Sequence, residues 1–443
     1  MTLKKWRLAA CVLPIVLAAC GGGSDEPLSC SVPDQKTWLG EYMNDWYFWY
    51  RLSPRPNPAG YATVAEYFDA LLYTGTDVNF PADRWSNFES TASFQQFFGD
   101  GETLGYGVSV AGLEVSGSPQ SPLYVRYVEP LSPAAAAGVA RGDQVISLNG
   151  RTSADIIAAN DFSALTATAS GQTLRLVLRR AGQDRTVTLT SAVFALTPVQ
   201  GASVVTTPGG RKIGYLMVKD MINQANTPMD TAFSQFKAQG VTEVVLDLRY
   251  NGGGLVSVGN RLASNVAGSR GNGRSYAKLL YNDKRASANN QSFAFTNPAS
   301  AVGLARVFVL MGERTCSASE QVINGLRGVG VNVVAIGDTS CGKPVGFLPQ
   351  DDGCGTTYSV VNFESVNDLN EGRYFDGFLP TCAVAEDFTQ PTGSTGDPLM
   401  AAARTYADTG SCPVAGGLKQ PQALKRSLHR APEAGERQGM LGR

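Results

Sequence analysis

The 443-residue sequence predicts a mixed α/β chain with a β-rich domain and a small helical domain. Two short apolar runs, 307–311 and 331–336, flank a segment with helical periodicity, which is the pattern of a β-α-β unit with parallel strands. Residues 174–178 and 186–189 alternate apolar and polar side chains, as half-buried strands do. Residues 64–72 instead have the apolar spacing of an amphipathic helix.

Composition excludes several classes of protein. The 37 basic and 38 acidic residues nearly balance, so we expect no nucleic-acid partner. The one histidine, His429, lies in a polar carboxyl-terminal segment, which argues against a Ser-His-Asp triad and against a histidine zinc site. We therefore expect no metal and no cofactor. If the chain is a serine hydrolase, lysine is the natural remaining base.

The first 20 residues have the pattern of a targeting segment. Basic residues precede an apolar run, 8–17, that is too short to span a bilayer comfortably. The run ends in Leu-Ala-Ala-Cys20 and resembles a bacterial lipoprotein signal, which implies cleavage before Cys20 and a lipid on that thiol; an ordinary secretory signal is the alternative. Residues 21–30 are predicted to be a flexible tether. We expect a lipid-anchored protein of the cell envelope that faces the periplasm, at the outer membrane.

The segment from Thr315 to Lys343 carries the candidate chemistry. Ser317 and Glu320 have the spacing of a capping box at a helix start, where free N–H groups and the helix dipole favour negative charge. Lys343 follows the second apolar run. Because loops after parallel strands meet at one sheet edge, we expect Ser317 and Lys343 to be neighbours. The alternative is a plain helix cap and a solvated lysine, since lysine acts as a base only if burial lowers its pKa.

Three motifs resemble those of the carboxyl-terminal processing peptidases, also called tail-specific proteases. They are residues 315–320, residues 342–343 and the Gly-rich stretch 244–254, in the family's order and at similar spacing. The resemblance covers roughly residues 100 to 385. It implies a crotonase-like (ClpP/crotonase-type) spiral catalytic domain, which we place at 198–412.

The resemblance also implies roles for particular residues. Ser317 maps onto the nucleophile and Lys343 onto its base. The oxyanion hole maps onto the amides of Ala318 and Gly253. Phe347 stands where many members have a glutamine that orients the lysine, and Gln350 is nearby but out of register. The third catalytic residue is therefore left open, with Gln350 as the candidate.

Residues 101–197 resemble a PDZ domain, on the motifs at 132–138 and 141–150. Such domains bind an extended peptide by strand addition and its carboxylate in a nest of amides. The predicted nest is formed by Leu104, Gly105, Tyr106 and Gly107. The alternative is a module that only packs on the catalytic domain.

The remaining segments have less specific patterns. Residues 31–100 are predicted to form a small amino-terminal helical domain, and residues 83–86 resemble the segment that precedes the PDZ domain in the family. Residues 346–358 are predicted to be irregular and to form part of a lid. Residues 413–443 are polar and contain proline and glycine, which predicts disorder.

An exported chain with six cysteines beyond Cys11 and Cys20 is expected to form disulfides. Sequence alone leaves fifteen pairings open. We expect Cys316–Cys341, because each closely precedes one member of the proposed Ser-Lys pair. The two remaining predicted pairs are Cys354–Cys382 and Cys30–Cys412.

These observations predict a serine endopeptidase that cleaves unstructured or C-terminally presented polypeptides in the bacterial envelope by a Ser-Lys dyad. The alternatives are a non-catalytic peptide-binding lipoprotein, favoured by Phe347, and an acyl-CoA enzyme of the related fold, for which the sequence has no nucleotide motif.

Overall fold

The computed structural model of the protein describes residues 26–413 and 439–442. The predicted signal segment with Cys20, and the first half of the predicted tether, lie outside these residues. So do residues 414–438. Within the described ranges, no helix has the length and apolar character needed to cross a membrane.

The amino-terminal region is mainly helical. Ser31 begins the first helix by accepting from the N–H of Asp34, and a capping box of Thr63 and Glu66 begins the second. Its elements are α1 Val32–Trp46, α2 Val64–Leu71, β1 Asn87–Ser90 and α3 Thr91–Gln95.

The second region is a β-rich unit with a hydrophobic core of its own. Its elements are β2 Glu102–Gly105, β3 Val108–Val110, β4 Leu123–Val128, α4 Pro133–Ala136, β5 Gln144–Leu148, β6 Arg151–Thr152, α5 Ser153–Ala159, β7 Thr173–Arg180, β8 Gln183–Thr190 and β9 Ala192–Ala195. Strands β3, β4, β5, β7 and β8 form one antiparallel sheet, with β6 paired to β5. The pair β2–β9 lies at the two ends of the unit.

The third region contains two six-stranded sheets. Its helices are α6 Asn226–Ala238, α7 Val256–Ala267, α8 Ala286–Asn289, α9 Ala318–Gly328 and α10 Pro398–Thr409. Its strands are β10 Val199–Thr206, β11 Lys212–Val218, β12 Glu243–Asp247, β13 Gly253–Leu255, β14 Ser275–Tyr281, β15 Gln291–Ala294, β16 Arg306–Met311, β17 Asn332–Gly337, β18 Val345–Phe347, β19 Gln350–Asp351, β20 Thr356–Ser359, β21 Val361–Val366, β22 Cys382–Ala383 and β23 Gly439–Leu441.

The first of these sheets has the order β10-β11-β12-β16-β17-β22, and it is parallel except for the β10–β11 pair. Val309 pairs with Ala335 across β16 and β17, and α9 connects these two strands. The predicted β-α-β unit is confirmed. The loops that carry Ser317 and Lys343 both leave the carboxyl ends of their strands.

The second sheet has the order β13-β23-β18-β21-β14-β15. Helices α7 and α9 pack on each other, and α9 contacts strands of both sheets. One large hydrophobic core joins these elements and includes side chains of the amino-terminal region. The predicted mixed α/β fold, with a PDZ-like unit and a small amino-terminal domain, is confirmed.

Two predictions about irregular segments are wrong. Residues 346–358 contribute β18, β19 and part of β20, because Gly346 and Phe347 pair with β21. Disorder was expected throughout 413–443, but Gly439–Leu441 forms the buried strand β23. Met440 and Leu441 pack in the main hydrophobic core. The prediction failed because residues 413–443 are polar on average, and this average does not indicate a short apolar segment.

The disulfides confirm one of the three predicted pairs. Cys316 is bonded to Cys341, with Cα atoms 5.2 Å apart. The other two predicted pairs are wrong: the bonds are Cys30–Cys354 and Cys382–Cys412. Cys382 lies in β22 and Cys412 follows α10, so the packing of α10 brings those two thiols together.

Candidate active site

Ser317 lies at the start of α9, immediately after the loop that follows β16. Its backbone has φ of +63° and ψ of −116°, a conformation that a residue with a Cβ rarely adopts. The surrounding contacts hold it there. Thr315 Oγ1 donates to Leu248 O at 2.8 Å, and Cys316 N donates to Asn251 O at 3.1 Å. The segment 248–251, which leads into the Gly-rich turn, therefore fixes the position of the serine loop.

The predicted capping box is only half formed. Glu320 accepts from the Ser317 N–H at 2.9 Å, but the Ser317 hydroxyl is not used to cap the helix. Within the part of the chain that the structure describes, this buried Oγ makes no hydrogen bond. A Ser317–Lys343 hydrogen bond is therefore not formed in this conformation, and the hydroxyl is left available for chemistry.

Glu320 connects the serine loop to the lysine loop. Its Oε2 accepts from Ser317 N at 2.9 Å and from Lys343 N at 2.8 Å. Its Oε1 accepts from Gly342 N at 2.8 Å and from the Ser340 hydroxyl at 2.5 Å. The carboxylate is fully buried and all four donors converge on it, so one side chain determines how the two loops lie relative to each other.

Lys343 is fully buried, as a lysine base must be. Burial lowers its pKa from 10.5 to about 7, while the negative charges of Asp83 and Glu320 act in the opposite direction. A substantial fraction of the amine is therefore neutral near pH 7. A neutral amine can accept a proton from a hydroxyl.

The Phe347 ring lies against the Lys343 amine, with Nζ 3.8 Å from the ring centroid. A ring face attracts the ammonium form, so Phe347 contacts the lysine through a cation–π interaction where a glutamine would offer an amide oxygen. Gln350, the candidate from sequence, lies in β19 opposite Tyr358 and its side-chain amide donates to Asp351 O at 3.0 Å. Register alone did not show that the aromatic side chain would fill this position.

The Gly-rich turn reaches the start of α9. A Cβ on Gly253, whose φ is +104°, would stand 2.9 Å from Ala318 N and 3.0 Å from Cys316 O, so only glycine permits this approach. Ala318 is the first residue of α9, where the N–H groups have no acceptor within the helix. The Gly253 N–H itself donates to Asn251 Oδ1 at 2.8 Å, so in this conformation it is bonded within its own turn.

The Cys316–Cys341 disulfide is a second tie between the two loops. Each cysteine stands within two residues of Ser317 or Lys343, and Cys341 N also donates to Thr315 O at 3.1 Å. These two sulfurs lie near the Glu320 carboxylate, but they are bonded to each other and offer no thiolate to a metal.

The amino-terminal region contributes two side chains that sequence analysis did not assign to the site. Asp83 is buried, accepts from Tyr47 Oη at 2.7 Å and carries the charge that acts on Lys343. The neighbouring Arg84 reaches Cys341 O at 3.4 Å. The resemblance of residues 83–86 to a family segment was the one signal that marked them.

The PDZ-like unit is docked on the third region. Arg141 donates to Glu386 at 2.7 Å and to the backbone carbonyls of Asp387 and Gln390. Glu386 also pairs with the buried Arg249, just before the Gly-rich turn. Through Glu386, these ion pairs connect the PDZ-like unit, which carries the predicted peptide groove, to the segment that leads into the Gly-rich turn.

The predicted carboxylate nest borders a cavity of about 750 Å³. Leu104 and Gly105 belong to β2, and Tyr106 and Gly107 form the turn into β3; all four line the cavity. Gly107 has φ of +74°. Phe194 and Leu196 give the groove an apolar wall.

Comparisons with protein families agree with the three regions. Residues 212–368 match peptidase family S41, residues 34–87 match the peptidase S41 N-terminal domain, and residues 124–180 match a PDZ domain. A carboxyl-terminal-processing protease of Picosynechococcus sp. is 27% identical over 271 residues, which is 60% of this chain and 62% of that protein. A C-terminal processing peptidase from the chloroplast of Tetradesmus obliquus is 27% identical over 273 residues, 58% of this chain and 56% of that protein. The chain thus matches less than two thirds of the length of these relatives.

Solved structures show the same architecture. A Bacteroides fragilis protein assigned to the S41 proteases superposes with a TM-score of 0.66 and 26% identity, over 84% of this chain and 96% of that chain. A photosystem II D1 C-terminal processing protease superposes with a TM-score of 0.51 and 19% identity, over 84% of this chain and all of the other. The second likeness is one of fold.

Proposed function

Because this chain belongs to peptidase family S41, we propose that it is a serine endopeptidase that cleaves unstructured or C-terminally presented polypeptides by a Ser-Lys dyad. The observation that carries the proposal is the fully buried Lys343, whose pKa is lowered to about 7, on a loop tied to that of Ser317 by Glu320 and a disulfide. Full burial disfavours the charged form of an amine, and a strongly lowered pKa of this kind is typical of a functional group.

In the proposed mechanism, the Ser317 hydroxyl attacks the peptide carbonyl while neutral Lys343 takes its proton. The Ser317–Lys343 hydrogen bond, which is absent in this conformation, has to form before the attack. The Ala318 N–H stabilises the oxyanion, and a second donor comes from the Gly253 turn once its amide leaves Asn251. Lys343 then protonates the leaving amine, and water hydrolyses the acyl-enzyme.

The PDZ-like unit is proposed to present substrates. Its groove has an apolar wall and a turn of backbone amides at one end, which suits a carboxyl-terminal peptide added as a strand. The Cys20 signal supports a lipid anchor in the cell envelope, facing the periplasm at the outer membrane. Both statements extend the proposal beyond the catalytic site.

The test is cleavage of denatured casein by the purified chain beside Ser317→Ala and Lys343→Met. We expect turnover by the wild type and none above background by either variant, with unchanged circular dichroism. Lys284→Met is the matched control, because that lysine lies on the surface near α8. Undiminished turnover by Ser317→Ala or Lys343→Met would refute the assignment.

The second candidate is a peptide-binding lipoprotein without catalytic activity. Two observations favour it, the absent Ser317–Lys343 hydrogen bond and the Phe347 ring at the lysine. Wild-type protein that binds carboxyl-terminal peptides and leaves casein intact would establish this alternative.

A further inference from the structure

The chain's own carboxyl-terminal segment lies in the cleft beside Ser317. Strand β23 is inserted between β13 and β18 and is parallel to both. Gly439 pairs with Gly253, and Leu441 pairs with both Leu255 and Phe347. An extended segment that completes a sheet in this way binds as a substrate strand would.

Backbone hydrogen bonds hold both ends of the segment. Gly439 N donates to Gly252 O at 3.0 Å, and Gly442 N donates to Phe347 O at 3.0 Å. The Gly442 carbonyl accepts from Gln291 Nε2 at 3.3 Å. The contacts therefore extend from the Gly-rich turn to the strand that carries Phe347.

The side chains of the segment are buried. Met440 is 0% exposed and Leu441 is 2% exposed, and both belong to the main hydrophobic core. The walls of the cleft lack side chains where the segment passes closest, since a Cβ on Gly346 would stand 2.6 Å from Met440 O. The cleft fits this strand in both backbone and side chains.

The pairing of β23 with β13 places the Gly439 carbonyl beside the Gly-rich turn and the start of α9. The carbonyl oxygen of Gly439 lies 2.1 Å from the point where a Cβ on Gly253 would stand, and Ala318 N lies 2.9 Å from the same point. This carbonyl oxygen therefore lies between the Gly-rich turn and the start of α9, where the proposed mechanism places the oxyanion hole.

We propose that the chain is its own substrate and that Ser317 cleaves the Gly439–Met440 bond; the inference rests on the proposed function. The Ser317 oxygen bonds to the Gly439 carbonyl carbon as its proton passes to Lys343. The C–N bond then breaks, the Met440 nitrogen takes that proton, and the segment that begins at Met440 leaves. Water hydrolyses the ester, which leaves a Gly439 carboxylate and restores the hydroxyl.

Self-cleavage has a consequence for other substrates. Until the bond is cut, Met440 and Leu441 occupy the pockets that any other polypeptide needs. Loss of the segment that begins at Met440 removes their buried side chains and the strand pairing to β18, so the cleft opens. The uncut chain is then inhibited by its own tail, and trimming is the activating step.

The experiment compares intact masses of the full chain and of Ser317→Ala, purified in parallel, with mapping of their carboxyl-terminal peptides. We expect the wild type to lose Met440–Arg443 and Ser317→Ala to retain it. Met440→Asp introduces a charge into the buried pocket and should leave the tail uncut. Val78→Asp, the same kind of change at a fully exposed side chain, should trim as the wild type does.

Casein cleavage, followed in the same samples, separates the two proposals. A chain that ends at Gly439, as the trimmed product does, should digest casein without a lag, whereas the freshly made full chain should show a lag that matches trimming. A wild type that digests casein but keeps Arg443 would overturn self-cleavage and leave the proposed function standing. Cleavage at another bond, or equal trimming of Ser317→Ala, would also overturn it. A wild type that cuts neither casein nor its tail would overturn both.

Discussion

The backbone N–H of Lys343 donates to Oε2 of Glu320 at 2.8 Å, and the same oxygen accepts from the Ser317 N–H at 2.9 Å. One carboxylate oxygen thus fixes the main chain of both proposed catalytic residues. From sequence, Glu320 is predicted only to cap a helix. In the structure, its side chain determines the separation of the two loops.

Glu320→Gln should weaken both folding and catalysis. A carboxylate accepts from four donors here, but an amide can accept only through its oxygen, so two buried donors lose their partners. We expect a loss of roughly 3 kcal/mol in the free energy of unfolding, and at least a tenfold lower kcat/KM on casein. Urea denaturation and steady-state kinetics measure these values. Glu66→Gln, in the exposed capping box of α2, should cost less stability and no activity; equal effects of the two variants would contradict the role of Glu320.

Catalysis should depend on pH through Lys343. The base acts in its neutral form, and its pKa is lowered to about 7, so kcat/KM should rise as the pH increases through 7 and level off above about 8. A profile of casein cleavage between pH 5 and 9 measures this dependence. Activity that stays constant down to pH 5 would show that Lys343 is not the base.

Lys343→Met should stabilise the fold below pH 7. The folded protein holds this lysine at a pKa of about 7 against 10.5 when unfolded, so the unfolded chain binds more protons between these values. The wild type therefore pays a penalty that is complete below pH 7 and disappears as the pH rises toward 10.5. The variant should be more stable by up to roughly 5 kcal/mol at pH 6, with the difference shrinking at pH 8 and again at pH 10. Urea denaturation at these three pH values measures it, and a difference independent of pH would contradict burial as the cause.

Two substitutions of Phe347 should move the acid limb of the activity profile in opposite directions. Glutamine brings an amide oxygen that favours the ammonium, so the pKa of Lys343 should rise and the limb should move to higher pH. Leucine removes the cation–π contact without adding an acceptor, so the limb should move to lower pH. The same pH profiles measure both shifts. Shifts in one common direction would mean that packing, and not charge stabilisation, dominates at this position.

Removal of the Cys316–Cys341 disulfide should reduce activity more than its effect on stability suggests. The bond closes a separation of 25 residues, so Cys316→Ala with Cys341→Ala should cost about 3 kcal/mol in unfolding free energy. Because both cysteines lie beside the proposed catalytic residues, we expect at least a tenfold loss of kcat/KM as well. Cys382→Ala with Cys412→Ala is the control, since it opens a similar separation of 30 residues and neither cysteine is a sequence neighbour of Ser317 or Lys343. Equal losses of activity in both double variants would show a general effect on folding.

The local part of the site could be predicted from sequence. The two apolar runs around a helical segment predicted parallel strands, and parallel strands bring their following loops to one edge, which is where Ser317 and Lys343 lie. The pair Cys316–Cys341 followed from the same reasoning. Strand periodicity and loop position are properties of neighbouring residues, so they can be deduced before the fold is known.

Other features depend on contacts between distant segments, and only the tertiary structure decided them. The bond between Cys30 and Cys354 joins residues 324 apart, and no local pattern favours it over the alternatives. The placement of Phe347 on the lysine, and of Asp83 near it, depends on how separate regions pack. Gly439–Leu441 is polar-tail sequence by composition, yet it becomes a buried strand because two distant strands leave a gap that fits its backbone and its two apolar side chains. Sequence thus determined the candidate nucleophile and base, whereas burial, which depends on the whole fold, decided which amine has a lowered pKa and which segment of the chain fills the cleft.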